Sequence, residues 1–529
     1  MVLSLLPALH AQGATNTAGP GEAGFRAAIA AALVGDTIVL DASVELQSTV
    51  RIDKQVTVRA GGREIDRIGI WGSFEGELLQ LAGAGIALEG IVLVGSSQTD
   101  GLRVEKDAIL RDCMIERFRR PVLDDSWPSP PTLRLERATV SRNAQALECT
   151  NLDAKDSIFA FNGGAGAGAY NGKFDRCRFE NNFGDGLIVT YGTVKNSVFR
   201  FNSDLGLRFD PDPGVLSLSG CLFYANAGGG LLLREEAYAT VDNCTFTRHT
   251  GLPAVTVTEA QNVLFRHCTV TDNVVTETES AFYLKGGAFM IGQSGRVELQ
   301  NCLVADNPTN GAPHAANLIG DWIDGGGNVI GGPARLEVLH DNGGPTLSLL
   351  PLPDSPAIDA GRPSDVVVDA RGLSRLAGKA PDAGAIETDA TPPVDSDADG
   401  LPDSWESFHQ LNPADGNDAL SDTDADGQTA LAEFRSRTDP TDAESVHRSY
   451  DVVLVPAPLQ QPDHRVGYLS WPLFPGVRYE VEASTDLREW NTLPGAGFPS
   501  GSANGRPRLS YEIRADFPQS FFRVRAVPE

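Results

Sequence analysis

Two twelve-residue words carry the sharpest chemistry in this chain: DSDADGLPDSWE at 395–406 and DTDADGQTALAE at 422–433. Asp395, Asp397 and Asp399 stand at positions 1, 3 and 5 of the first loop; Asp422, Asp424 and Asp426 stand at those of the second. Glycine follows at position 6, and Glu406 and Glu433 close the loops at position 12. Short carboxylates on alternate residues wrap a hard cation, the glycine permits the sharp turn, and a glutamate at position 12 offers two more oxygens. Position 7 adds a backbone carbonyl, from Leu401 or Gln428, and Asp403 stands at position 9. Without a cation the aspartates repel one another. The expected cofactor is therefore calcium, held by the residues just named. Pro402 at position 8 departs from the usual apolar residue of an EF-hand.

A second charged group lies mid-chain. Arg208, Asp210 and Arg234 alternate with apolar residues in the segments GLRFD and GLLLR, with Asp185, Asp212, Glu235 and Glu236 on neighbouring turns. An arginine beside carboxylates is the material of a polysaccharide lyase, and paired carboxylates that of a glycosidase. It is also the material of an exposed ion-pair ladder. No Ser-His-Asp or Cys-His spacing and no phosphate-binding glycine loop stands out.

These residues are positioned by a repeat. Small residues recur every 19 to 25 positions at Cys113, Ala138, Ser157, Cys177, Ser197, Cys221, Cys244 and Cys268, with a longer step to Cys302. Ile, Val or Phe follows two residues later. At the fifth residue stand Asn143, Asn162, Asn182, Asn202, Asn226, Asn273 and Asn307, with Phe118 and His249 as departures. Alternation inside each word is strand-like, and a fixed period in this range means one unit per repeat, stacked as a solenoid. The asparagine is expected to take the left-handed backbone of a tight turn and to stack as an amide ladder. Second strands then put Glu148 and Thr150, Gly168 and Tyr170, Ile188 and Thr190, Arg208 and Asp210, Leu232 and Arg234, and Thr256 and Thr258 outward.

The asparagine turns and small inward columns resemble right-handed parallel β-helix proteins, the architecture of pectate lyases, polygalacturonases and many bacterial surface proteins. The resemblance covers roughly residues 25 to 335 and implies a fold, not a reaction. Further on, NGGP at 342–345, SPAID at 355–359, DARG at 369–372 and DAGAIE at 382–387 resemble the choice-of-anchor Q end region of bacterial surface proteins. The resemblance implies a segment that closes the last coil, with Arg371 pairing a nearby acid. The acidic loops, with Pro402 and the word TDP at Thr438, resemble bacterial thrombospondin type 3 repeats or a dockerin. EVEASTDLREW and FFRVRA resemble a C-terminal domain of exported bacterial proteins.

The expected architecture is all-β. Residues 1–21 are a possible signal-peptide remnant, with cleavage after Ala11, and a disordered start. Residues 22–316 are a parallel β-helix with an N-terminal capping helix, 317–388 the end region and 389–446 the two-loop calcium module. Residues 447–529 are a small sandwich-like β module. The net charge of −27 over 529 residues argues against nucleic acid or an anionic membrane as partner. Fifteen of the acids fall between Asp389 and Glu444, against Arg435 and Arg437. No apolar run reaches the length of a membrane span. The seven cysteines mostly take the inward repeat position and are expected as buried free thiols. The chain thus reads as a secreted or bacterial cell-surface protein and a monomer. Its expected partner is a polysaccharide or cell-surface glycan that it binds without catalysis. The alternative is a polysaccharide lyase or glycoside hydrolase working through Asp210, Arg208 and Arg234.

Overall fold

Apolar and polar residues that alternate with period two need a sheet with one dry face, and the repeats supply one coil after coil. The computed structural model describes residues 13–388 apart from 62–67, 125–128, 212–213, 235, 261, 276–286, 293–294, 308–316 and 338. It also describes most of 396–424, scattered positions to 441, and the strand backbones between Val452 and Pro528. The chain divides into two compact units after Pro392.

The first unit is a parallel solenoid. Among the described residues one sheet has 13 strands, and all nine repeated words fall in it, from Met114–Glu116 to Leu303–Val304. Its register advances one coil per strand, as in Ile158↔Arg178↔Val198↔Leu222. The second strands form a larger parallel sheet with Leu187, Leu207, Leu231 and Val255 in one row. Helix Gly21–Ala31 buries Phe25 and Ile29 in the same core as the first coils. In the proline-rich stretch 119–132, Val122–Leu123 adds a strand beside Thr99–Val104, with Val122 buried.

Inside, the rings of Phe159, Phe179, Phe199, Phe223 and Phe246 stack with centroids 4.6–4.9 Å apart and planes within 9° of parallel. This is the coil spacing itself, so each ring packs on the next without adjustment. The cysteines are buried and free. The small column also satisfies backbone carbonyls. Ser157 and Ser197 donate to those of Lys155 and Lys195 at 2.8 and 2.7 Å, and Cys113 donates to that of Arg111 at 3.2 Å.

The amide ladder is present, but the asparagines are not the left-handed residues. Positive φ falls one residue earlier, on Arg142, Phe161, Asn181, Phe201, Ala225, Arg248, Asp272 and Asp306. A second left-handed residue precedes the small inward residue, as at Asp156, Arg176 and Asn243. The asparagine instead points inward and bonds. Asn202 accepts from the backbone and side-chain amides of Asn182 and donates to Asn226 and to the carbonyl of Phe179. Each amide thus satisfies backbone groups that the corner would otherwise bury unpaired.

His249 stands in this ladder as an asparagine substitute. Its Nδ1 accepts from the backbone amide of Asn226, and its own backbone amide donates to Asn273. Full burial pushes the imidazole down to about 4 from 6.5. The neutral ring is the one that fits, so its stability contribution is complete above pH 6.5 and is lost as pH falls toward about 4. The linked loss is about 3 kcal/mol. His249→Asn keeps the ladder and removes the proton site. Urea unfolding of both proteins should show a gap in favour of the variant that opens as pH drops below about 6.5. A gap constant with pH would contradict this.

After the last repeat, Leu318–Ile319, Ile323–Asp324 and Val329–Ile330 add pairings to the solenoid. The segment that follows does not simply close the last coil. It folds back along the outer flank of several coils. Asn243 donates to Val368 O, Asn301 donates to Arg362 O, His267 bonds Ser364, and Thr269 accepts from Ala385 N. Outward-facing Leu222, Thr245, Thr269 and Leu303 are consequently buried. The characteristic words of this segment are structural. Asp369 accepts from the backbone amides of Arg371, Leu373 and Glu387 and pairs with the Arg371 guanidinium at 2.8 Å. Glu387 accepts from Ala377 and Asp382, and Arg375, 2 % exposed, donates to Asn243 and Ala385.

In the second unit, helix Asp403–Phe408 and the 3-10 turn Asp418–Leu420 belong to the acidic region. Further on lie two antiparallel three-stranded sheets. One is built from Val452–Val455, Val466–Pro472 and Arg508–Arg514; the other from Val477–Ser484, Asn491–Phe498 and Phe521–Pro528. Among the described residues no helix is long and apolar enough to cross a membrane.

Candidate functional site

The first acidic loop turns on its own carboxylates. Asp397 Oδ1 accepts from Asp399 N, and Asp399 Oδ1 accepts from Leu401 N. These bonds bring the chain round so that Leu401 is buried against Ala419 and Ala430, flanked by Trp405, Leu411, Leu431 and Phe434. The helix that starts at Asp403 then carries Glu406 back over the loop. Carboxylate oxygens of Asp397, Asp399 and Glu406 lie within 4.8 Å of one another.

Glu406 is the decisive residue. It is 0 % exposed, and neither carboxylate oxygen has a hydrogen-bond partner. Burial, followed by the charges of Asp397, Asp399, Asp418 and Asp403, pushes its carboxyl up to about 7. A buried carboxylate facing other carboxylates is costly unless a positive charge sits among them. The oxygen-only donor set and the carboxylate charge fit calcium.

Of the other expected ligands, Asp403 has both oxygens on Ser396, from its backbone amide and its hydroxyl at 2.7 Å each. Asp422 is exposed and Asp424 half-buried. Asp395, Asp426, Gln428 and Glu433 lie outside the described residues.

On the solenoid, the register aligns Ile188, Arg208 and Leu232 and brings the three expected residues together. Arg208 reaches Asp185 at 2.8 Å and Asp204 at 3.4 Å, and Arg234 reaches Asp210 at 3.3 Å. Asp185 is 3 % exposed and accepts from Leu205 N. Burial pushes its carboxyl up to about 6 against the pull of Arg208, with Asp204 and Asp210 adding to the rise. Asp212 and Glu235 lie outside the described residues. Two coils away along the same flank, exposed Tyr170 packs on Tyr191 with centroids 5.2 Å apart and planes at 60°. Beside them the Asn171 amide donates to Asn151 at 2.9 Å. A cavity of about 310 Å³ lies elsewhere, between Thr271, Asp272 and Asp306 of the coils and Arg335, Leu336 and Leu349 of the end segment.

Residues 168–317 match the family described as the right handed beta helix region. No curated protein matches the chain. Among solved structures, pectate lyase Pel9A is 15% identical over 69% of this chain and 90% of its own, with a TM-score of 0.34. The PL6 family alginate lyase AlyGC is 14% identical over 72% of this chain and 59% of its own, with a TM-score of 0.39. The Dettilon tailspike protein gp208 is 10% identical over 57% and 65%, with a TM-score of 0.32. The solenoid is thus a right-handed parallel β-helix, and the likeness extends to fold alone.

Proposed function

We propose that this right-handed β-helix protein is exported, carries calcium in its acidic module, and binds polysaccharide along the outward face around Tyr170 and Arg208 without turning it over. The observation that carries the non-catalytic reading is the pairing of that face. Arg208 is shared between Asp185 and Asp204, and Arg234 lies 3.3 Å from Asp210. A paired guanidinium is a good hydrogen-bond donor to sugar hydroxyls and carboxylates and a poor base. Tyr170 adds an exposed ring with a polar tip, suited to lie on a sugar ring while neighbouring Asn151, Asn171 and Thr190 meet its hydroxyls. The column Thr150, Tyr170, Thr190, Asp210 and Arg234 crosses five coils, an extent of about 19 Å at ~4.8 Å per coil. That favours an extended chain over a small molecule.

Calcium in the loops is the second part of the proposal, supported by Glu406. On this reading the ion stiffens the segment between the β-helix and the C-terminal sheets, which close as a sandwich and serve attachment. A catalytic reading is favoured by one observation: the Asp185 carboxyl, pushed up to about 6 beside Arg208, is suited to proton transfer near neutral pH.

The binding face is tested by titrating polysaccharides into the full chain. Tyr170→Ala and Arg234→Ala should each weaken binding about tenfold, equivalent to about 1.4 kcal/mol, with the unfolding midpoint unchanged for Tyr170→Ala. Unchanged affinity in both variants would move the binding face elsewhere.

A further inference from the structure

We infer that the outward face around Tyr170 and Arg208 takes a neutral polysaccharide and turns away polyuronates and other acidic polymers. The inference rests on the binding face proposed above and names the chemical class of its ligand.

Among the described residues the face carries four carboxylates, Glu148, Asp185, Asp204 and Asp210, against two guanidiniums, Arg208 and Arg234. Both guanidiniums already meet carboxylates, so neither is left to draw in an anion. Glu148 is exposed, and its row continues through Gly168 and Ile188 before it reaches Arg208. A Cβ on Gly168 would stand 3.3 Å from Glu148 Cγ, so glycine lets the Glu148 side chain lie over the coil that carries Tyr170. Lysines of the same strands do not redress the balance. Tyr170 and Asn171 are both exposed, so the strand turns a corner there. Lys173 and, one coil on, Lys195 project from the face beyond it.

A polymer carboxylate could reach Arg208 only by displacing Asp185 or Asp204. Asp185 is 3 % exposed and fixed by Leu205 N at 3.1 Å, so stripping its guanidinium would leave a buried charge uncompensated. The open carboxylates ask for donors. Asp204 and Asp210, with side chains 48 % and 38 % exposed, only accept hydrogen bonds, as does Glu148. Sugar hydroxyls donate to them. A uronate or sulfate group has no proton to give and adds like-charge repulsion. The exposed Tyr170 ring supplies contact area that is indifferent to the charge of the sugar above it.

The test is titration of the full chain, at one fixed calcium concentration, with polygalacturonate, with the same polymer fully methyl-esterified, and with neutral glucans and galactans. At least one neutral polymer should bind and lose affinity on Tyr170→Ala, and polygalacturonate should bind at least about tenfold more weakly in low salt. Glu148→Gln, which keeps an acceptor and drops a charge, should raise polygalacturonate affinity about threefold in low salt, a gain that high salt removes. Glu45→Gln makes the same change at an exposed position on the other sheet and should leave that affinity unchanged. Polygalacturonate binding as tight as that of any neutral polymer, and weakened by Tyr170→Ala, would overturn the ligand class and leave the binding face standing. Equal effects of Glu148→Gln and Glu45→Gln would trace the selection to the net charge of the chain and overturn it too. Binding to none of the polymers, or binding indifferent to both Tyr170→Ala and Arg234→Ala, would overturn the binding face itself.

Discussion

Replacing Asn202 with alanine should lower the stability of the β-helix by about 3–5 kcal/mol, the largest single-residue loss expected from any exchange in the corner ladder. The magnitude follows from what is orphaned. The Asn202 oxygen accepts from Asn182 N and Asn182 Nδ2, and its amide serves Phe179 O and Asn226. All these groups are buried within the coil corner, and no water can replace the lost partner without opening it. Each orphaned buried group costs about 1–3 kcal/mol, and the sum is less than additive because the ladder relaxes together. Urea titration of the variant, monitored by far-ultraviolet dichroism, checks this. A midpoint within error of the parent chain would mean that the ladder is decorative and that the phenylalanine stack carries the fold.

Removing calcium should have the second large effect, and it should be local. At an ion concentration about a hundredfold above its Kd, binding stabilises the folded form by about 2.7 kcal/mol. That is ample to decide whether the segment stays closed, since among the described residues its buried apolar cluster is Leu401, Ala419 and Ala430. Chelator should therefore open residues 396–441 to protease within minutes and leave a resistant β-helix fragment. Glu406→Gln should make that pattern indifferent to calcium, because the buried pair of oxygens at the centre of the site is gone. Identical digests of the parent chain with and without chelator would contradict the role assigned to the ion.

How much of this is legible in the sequence depends on how local each cause is. The solenoid and its register are legible because the small residue, the β-branched or aromatic residue and the asparagine recur at fixed offsets, and each offset maps to one corner of the coil. The left-handed residues lie one position before the asparagines that suggest them. The conformation is imposed by the corner on whatever stands there, including Arg142 and Phe161, so no residue type marks it. The fold-back of the end segment is illegible for another reason. Its anchors join residues far apart in the chain, such as Arg375 with Asn243 and Ala385 with Thr269, and no periodicity links them. At the acidic site the loop spacing points to Asp397, Asp399 and Glu406. On the flank, alternation alone places Arg208, Asp210 and Arg234 outward and near one another. What alternation does not show is that Asp185 lies buried beneath Arg208, since Asp185 sits in a turn and not in a strand.

The central claim is that the outward face holds a polysaccharide and does not cleave it. The most direct measurement is a screen of the purified chain, with calcium, against uronate-containing and neutral polysaccharides. It would follow binding, unsaturated-product absorbance and reducing ends in the same samples. Saturable binding to at least one polymer with no product of either kind is the predicted result. Turnover that disappears on Asp185→Asn or Arg208→Ala would contradict it and make the Arg208 cluster an active site.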